Sequence, residues 1–93
     1  MRKYELVCIL HPDLEESVSK ETLERVQGWI TEPGGTVDNT DDWGRRKLSY
    51  LIHKQSEGHY VLMNITIDPK AAGELERNIR FLEPVMRHML TAV

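Results

Sequence analysis

Four prolines cut this chain into segments whose hydrophobic period changes at each cut, and that alternation constrains the fold more than any other feature. Proline fixes φ and has no amide to donate, so Pro12, Pro33, Pro69 and Pro84 mark element ends or first helical turns. Residues 3–11 alternate with period two, placing Tyr4, Leu6, Cys8 and Leu10 on one face and Glu5, Val7, Ile9 and His11 on the other. A strand apolar on both faces belongs inside a sheet. After Pro12, Asp13 with Glu16 three residues on predicts a capped helix start. Leu14, Val18, Val26 and Ile30, flanked by Leu23 and Trp29, give that helix its apolar stripe. Glu32-Pro33-Gly34-Gly35 stops it.

Residues 36–53 read as a second strand, interrupted near 39–44, where Gly44 predicts a bulge. Leu48, Tyr50 and Ile52 then alternate with Lys47, Ser49, Leu51 and His53, and Leu48 and Ile52 are expected to hold the strand to the core. Lys54-Gln55-Ser56-Glu57-Gly58 reads as a hairpin turn, and 59–67 as the return strand with Val61, Met63, Ile65 and Ile67 on one face. Asp68-Pro69 supplies an N-cap and a proline for the first helical position. Ala72, Leu75, Ile79 and Leu82 form the second stripe; Glu83-Pro84 ends it, and 85–92 alternate as a last strand, Met86 sharing a face with His88, Leu90 and Ala92. Two strand–helix–strand units in succession predict an α+β, ferredoxin-like βαββαβ sandwich. Right-handed crossovers put both helices on one face of a four-stranded antiparallel sheet, with the first and third strands in the middle and the other face open. A chain of 93 residues is expected to be one domain, 1–93.

Charge is segregated along this frame. Residues 13–32 hold six acids against Lys20 and Arg25, and Asp38, Asp41 and Asp42 add three more. The stretch Trp43–Tyr60 holds Arg45, Arg46, Lys47 and Lys54; Arg2 and Lys3 open the chain, and Arg77, Arg80 and Arg87 lie near its end. A net charge of −3 argues against a nucleic-acid-binding surface all round but leaves room for a local basic face. The single cysteine, Cys8, cannot close an internal disulfide, which suits a reducing cytoplasm. No apolar run approaches the roughly 18 residues of a membrane span. The opening Met-Arg-Lys-Tyr-Glu turns strand-like at once, unlike a signal peptide.

The residues offer little for catalysis. His11, His53, His59 and His88 stand singly, without zinc-site spacing. There is no glycine-rich phosphate loop and no nucleophile elbow. Cys8 reads as a small buried hydrophobe. The loop after the first strand, His-Pro-Asp-Leu-Glu-Glu, is acidic, where an acylphosphatase-like hydrolase on this fold wants an anion-binding loop. No catalytic residue, metal, cofactor, small-molecule substrate or membrane contact is expected. The topology is also that of RNA-recognition motifs, but Glu57-Gly58-His59-Tyr60-Val61-Leu62-Met63 is mostly aliphatic where that module stacks bases. Cations at strand ends point instead to phosphate contacts, which position without reading sequence. A regulatory or oligomerisation module on the same fold is the alternative.

Met-Arg-Lys-Tyr-Glu, Trp-Gly-Arg-Arg-Lys-Leu-Ser-Tyr-Leu-Ile-His-Lys, Gly-His-Tyr-Val-Leu-Met-Asn and Val-Met-Arg-His-Met-Leu, in that order, resemble the bacterial small-subunit ribosomal protein S6 family over essentially the whole chain. The resemblance implies a non-enzymatic, cytoplasmic, ribosome-associated protein. Its implied partners are the central domain of small-subunit (16S) rRNA and ribosomal protein S18, with which it would form a heterodimer that aids subunit assembly. Arg2, Lys3, Arg46, Lys54, Arg80 and Arg87 match basic positions on the family's RNA side. Arg45, Lys47, Tyr50, Leu51 and Tyr60 are candidates for RNA or partner contact, and Arg45 and Lys47 match more variable, solvated positions. Tyr4, Leu48, Tyr50, Gly58 and Tyr60 match structural positions. Ser49 and Leu51 replace a frequent alanine and proline, so Leu51 restores a backbone donor on an edge strand. The sequence stops at Val93, short of the tail many members carry, so no tail contact is expected.

Overall fold

The first strand lies inside the sheet, as its two apolar faces require. In the computed structural model, which describes residues 1–52 and 54–93, the elements are β1 (Arg2–Leu10), α1 (Glu16–Thr31), β2 (Thr36–Ile52), β3 (Gln55–Ile67), α2 (Pro69–Arg80) and β4 (Val85–Ala92). The strands are antiparallel neighbours in the order β2-β3-β1-β4, the ferredoxin-like arrangement. Leu6, Cys8 and Leu10 of β1 and Val61, Met63, Ile65 and Ile67 of β3 meet Val26 and Ile30 of α1 and Ala72, Leu75 and Ile79 of α2. Each fully buried aliphatic chain contributes about 1.5–3 kcal/mol, so this layer is the main source of stability. Burial also pushes the Cys8 thiol up to about 12, leaving it protonated and inert.

The two helices start differently. α2 opens on Asp68, whose carboxylate accepts from the Lys70 amide at 2.9 Å, with Pro69 at the first helical position. α1 departs from the sequence expectation: it begins at Glu16 after an uncapped Glu15, and Asp13 is drawn away to the side chain of Arg45. Val18 consequently sits at the surface, and Thr22 takes a buried place by returning its hydroxyl to the Val18 carbonyl at 2.8 Å. At the far end of α1, a Cβ on Gly35 would stand 2.5 Å from the Ile30 carbonyl oxygen and 2.8 Å from that of Thr66. Only glycine lets β2 leave so close to the helix.

The hairpin is tighter than the sequence predicts. β3 starts at Gln55, paired with Ile52, so Gln55–Gly58 is strand rather than turn and Glu57 lies opposite Lys47. Lys54 occupies the turn with φ of 64°; the expectations for His53 lie outside the described residues. Nor is β2 interrupted at 39–44. It runs 17 residues, and register shifts between Val37 and Asn39 and between Asp42 and Gly44 absorb the irregular stretch as bulges. β4 carries one shift, between Ile9 and Leu10 of its partner, which skips Met86. As a result Val85, not Met86, joins the helix-side core.

Candidate nucleic-acid and partner interface

The sheet face away from the helices is open along most of its length but not at the hairpin end. Ile9 of β1, Tyr60 of β3 and Arg87 and Met89 of β4 share that face by register. Leu48, Ser49, Tyr50 and Ile52 join them around a cavity of ≈ 220 Å³. Residues of an edge strand can reach β4, two strands beyond β3, only if the tip of β2 curls across the sheet. The bulges in β2 and the register break between Lys47 and Ile52 supply the twist for that curl. Leu48 and Ile52 therefore serve a second, smaller apolar cluster on the opposite face, and not the main core as their alternation suggested. Ile9 ends up only 3% exposed on a face expected to be bare. Gly58 makes room for it: a Cβ there would collide with Ile9 Cγ2 and stand 3.1 Å from Met86 Cε.

Aromatic and cationic groups rim this cup. The Arg87 guanidinium lies 5.8 Å from the centre of the Tyr50 ring, a cation–π contact. Trp43, at the second bulge, stacks on Tyr60 with ring centres 6.3 Å apart and planes 15° from parallel. These rings partner one another or Arg87. Arg46 lies opposite Gly58, with its Nε donating to the Trp43 carbonyl at 3.2 Å. Tyr50 and Leu51 are exposed, 57% and 66%, and Lys54 stands at the hairpin tip.

The remaining sequence-predicted residues scatter. Arg2 and Lys3 pair with Ile67 and Thr66 at the opposite end of the sheet. Five residues of β1 lie between Lys3 and Ile9, so at about 3.3 Å per step Lys3 sits about 20 Å from the Arg87 side of the cup. Arg80 is exposed on the last turn of α2, in the helix layer. Lys47 is exposed opposite Glu57. Arg45 is not simply solvated: it donates to the Pro12 carbonyl at 2.8 Å and to Asp13 Oδ1 at 2.9 Å, with Glu57 Oε1 at 3.7 Å. That side chain fastens β2 to the β1–α1 loop.

Two aspartates pin the bulges of β2. Asp38 accepts from the Thr66 hydroxyl at 2.6 Å and the Thr36 hydroxyl at 2.9 Å. The bond from Thr66, then that from Thr36, holds its carboxyl below the ordinary 3.8, with help from Lys3 against a small desolvation. Asp42 accepts from the Gly44 amide at 2.8 Å and meets His59 Nε2 at 2.6 Å. Partial desolvation raises its carboxyl, and the His59 and Gly44 hydrogen bonds with the His59 charge outweigh it, leaving a net lowering. Sequence reasoning opened the basic stretch at Trp43 without giving that ring a role, and it left out Met89 and Ile9 as parts of this end of the molecule. The one signal for them was a glycine in each of two neighbouring strands, Gly44 opposite Tyr60 and Gly58 opposite Arg46.

Comparison with known proteins bears on this geometry. The sequence profile described as ribosomal protein S6 matches residues 3–92. The small ribosomal subunit protein bS6 of Clostridium botulinum (strain Hall) is 51% identical over 90 residues, covering 97% of this chain and 96% of that protein. Its counterpart in Exiguobacterium sp. is 48% identical over 91 residues, 98% of this chain and 96% of the relative. The crystal structure of 30S ribosomal protein S6 from Thermotoga maritima superposes with a TM-score of 0.92 at 30% identity, over 99% of this chain and 87% of that one.

Proposed function

The chain belongs to the ribosomal protein S6 family, and on that premise we propose that it binds small-subunit rRNA with the hairpin end of its open sheet face and holds ribosomal protein S18 there as a heterodimer. Family membership makes it a structural, non-enzymatic constituent of the small ribosomal subunit in the bacterial cytoplasm. In this reading residues 1–93 act as one domain, and the alternative of a separate regulatory module has no support.

The observation that carries the proposal is the cup. Arg46 and Arg87 flank an apolar concavity whose aromatic rings are already paired, so the surface offers cations for phosphates and apolar area for a protein. Phosphate contacts of this kind fix position without reading bases. Lys54 at the tip extends the cationic rim, and Arg2 and Lys3 supply a second contact at the far end of the sheet. Tyr50, Leu51 and Tyr60 give S18 its apolar footing, where Leu51 replaces the family's frequent proline. With a net charge of −3 the chain attracts RNA weakly by itself, and a cationic partner supplies the missing attraction.

The test is co-sedimentation with small ribosomal subunits at moderate salt. Wild type is expected in the subunit fraction, and Arg2→Ala/Arg46→Ala/Arg87→Ala is expected to fall out of it while remaining folded. Equal retention of the folded triple variant overturns the proposal.

A further inference from the structure

On the side away from the sheet's open face, α1 and α2 leave a groove that the proposed RNA site does not use. Two cavities of ≈ 460 and ≈ 340 Å³ adjoin there, sharing Trp29 and Asn78. Leu75 and Leu82 in their walls are buried and Trp29 is half-buried, while Phe81, just past the end of α2, is 79% exposed. A single exposed hydrophobe needs no explanation, but this one forms the lip of a concavity of mixed polar and apolar lining, with Trp29 and Leu82 beside Arg25, Asn78 and Glu83.

The charge of the groove selects its occupant. Glu83 borders the first cavity and Glu32 and Glu74 the second, against one cation, Arg25. Among the described residues none of the three acids is in an ion pair, so their charge is directed to solvent. Arg25 lies 5.6 Å over the Trp29 ring, which shows within the chain the kind of group that ring accepts. RNA is repelled by the acids, and a second copy meeting this groove with its own would set like charges against each other.

We propose that the α1–α2 groove docks a cationic, amphipathic segment of a second protein. Its lysine or arginine side chains pair with Glu32, Glu74 and Glu83, and an apolar side chain packs between Trp29 and Phe81. The chain is then two-faced: the sheet meets RNA and one protein, and the helix layer receives another. This proposal stands on the groove and not on the RNA reading, and the two can fail separately.

The test titrates the isotope-labelled full chain with a synthetic amphipathic leucine/lysine peptide and, in parallel, its leucine/glutamate counterpart, following backbone amide NMR shifts. The lysine peptide is expected to move Trp29, Asn78 and Phe81, and the glutamate peptide is expected to move none of them. Glu32→Lys/Glu74→Lys should weaken the lysine peptide at least tenfold, and Phe81→Ser should weaken it several-fold; a preserved amide spectrum outside the groove confirms that both variants fold. Shifts confined to the sheet face, equal response to both peptides, or affinity unchanged by charge reversal overturns the proposal. Concentration-dependent shifts of the same residues without peptide assign the groove to a second copy and overturn it as well.

Discussion

The two edge strands, β2 and β4, hold equivalent places in the two strand–helix–strand halves, and they are built in opposite ways. β4 is eight residues long and, after one skipped residue, pairs regularly with β1. β2 is 17 residues long, loses register three times and curls its tip across the sheet. β4 escapes edge-to-edge pairing by being short, whereas β2 relies on charges and bulges. The comparison teaches that the frame is carried by the regular elements, while the extra length of one edge strand makes the concave, cationic surface.

The largest test of that difference is Gly58→Val, which puts a branched side chain where Ile9 and Met86 leave no room. It should cost about 3 kcal/mol in urea unfolding. Thr91→Val on the exposed part of β4 should stay within about 0.5 kcal/mol. Similar losses at both sites would erase the contrast between the strands. Next in size, Leu48→Ala should cost about 1–2 kcal/mol, less than a core truncation because the side chain is half-buried. It should also release Tyr50 from Arg87, read as a shift of the Tyr50 ring resonances.

How far these features were legible in the sequence follows the same division. Both apolar stripes, the Asp68-Pro69 cap and the central place of β1 follow from period and from single residues, because regular elements obey local rules. The tip of β2 was not legible, because alternation tells which residues share a face but not which face is covered, and the two bulges before the tip exchange faces twice and so cancel. Alternation read straight through 47–53 thus sent Leu48 and Ile52 to the wrong side. Arg45 was misread for another reason: its partner Asp13 is 32 positions away, and only the sheet order brings the two together.

Smaller effects sharpen the account of β2. Arg45→Ala should lower stability by about 0.5 kcal/mol, since the ion pair is half-exposed, and loosen the β1–α1 loop in hydrogen exchange. The smallest effect concerns Asp38. Its carboxyl titrates below the ordinary 3.8 in the folded chain, so its contribution is present above that value and is lost as pH falls through the lower folded value. Wild type should therefore lose stability more steeply than Asp38→Asn as pH falls below the ordinary 3.8. Parallel acid-unfolding curves would show that this bulge is not pinned by charge.

The most direct measurement is the salt dependence of binding to small-subunit rRNA in the presence of S18, comparing wild type with Arg46→Ala/Arg87→Ala. If the hairpin end of the sheet face meets phosphates, the slope of log K against log salt should shrink in magnitude by about 1.5, from two lost contacts. Arg77→Ala, on the helix layer, should leave that slope unchanged. An unaltered slope in the double variant would contradict the account.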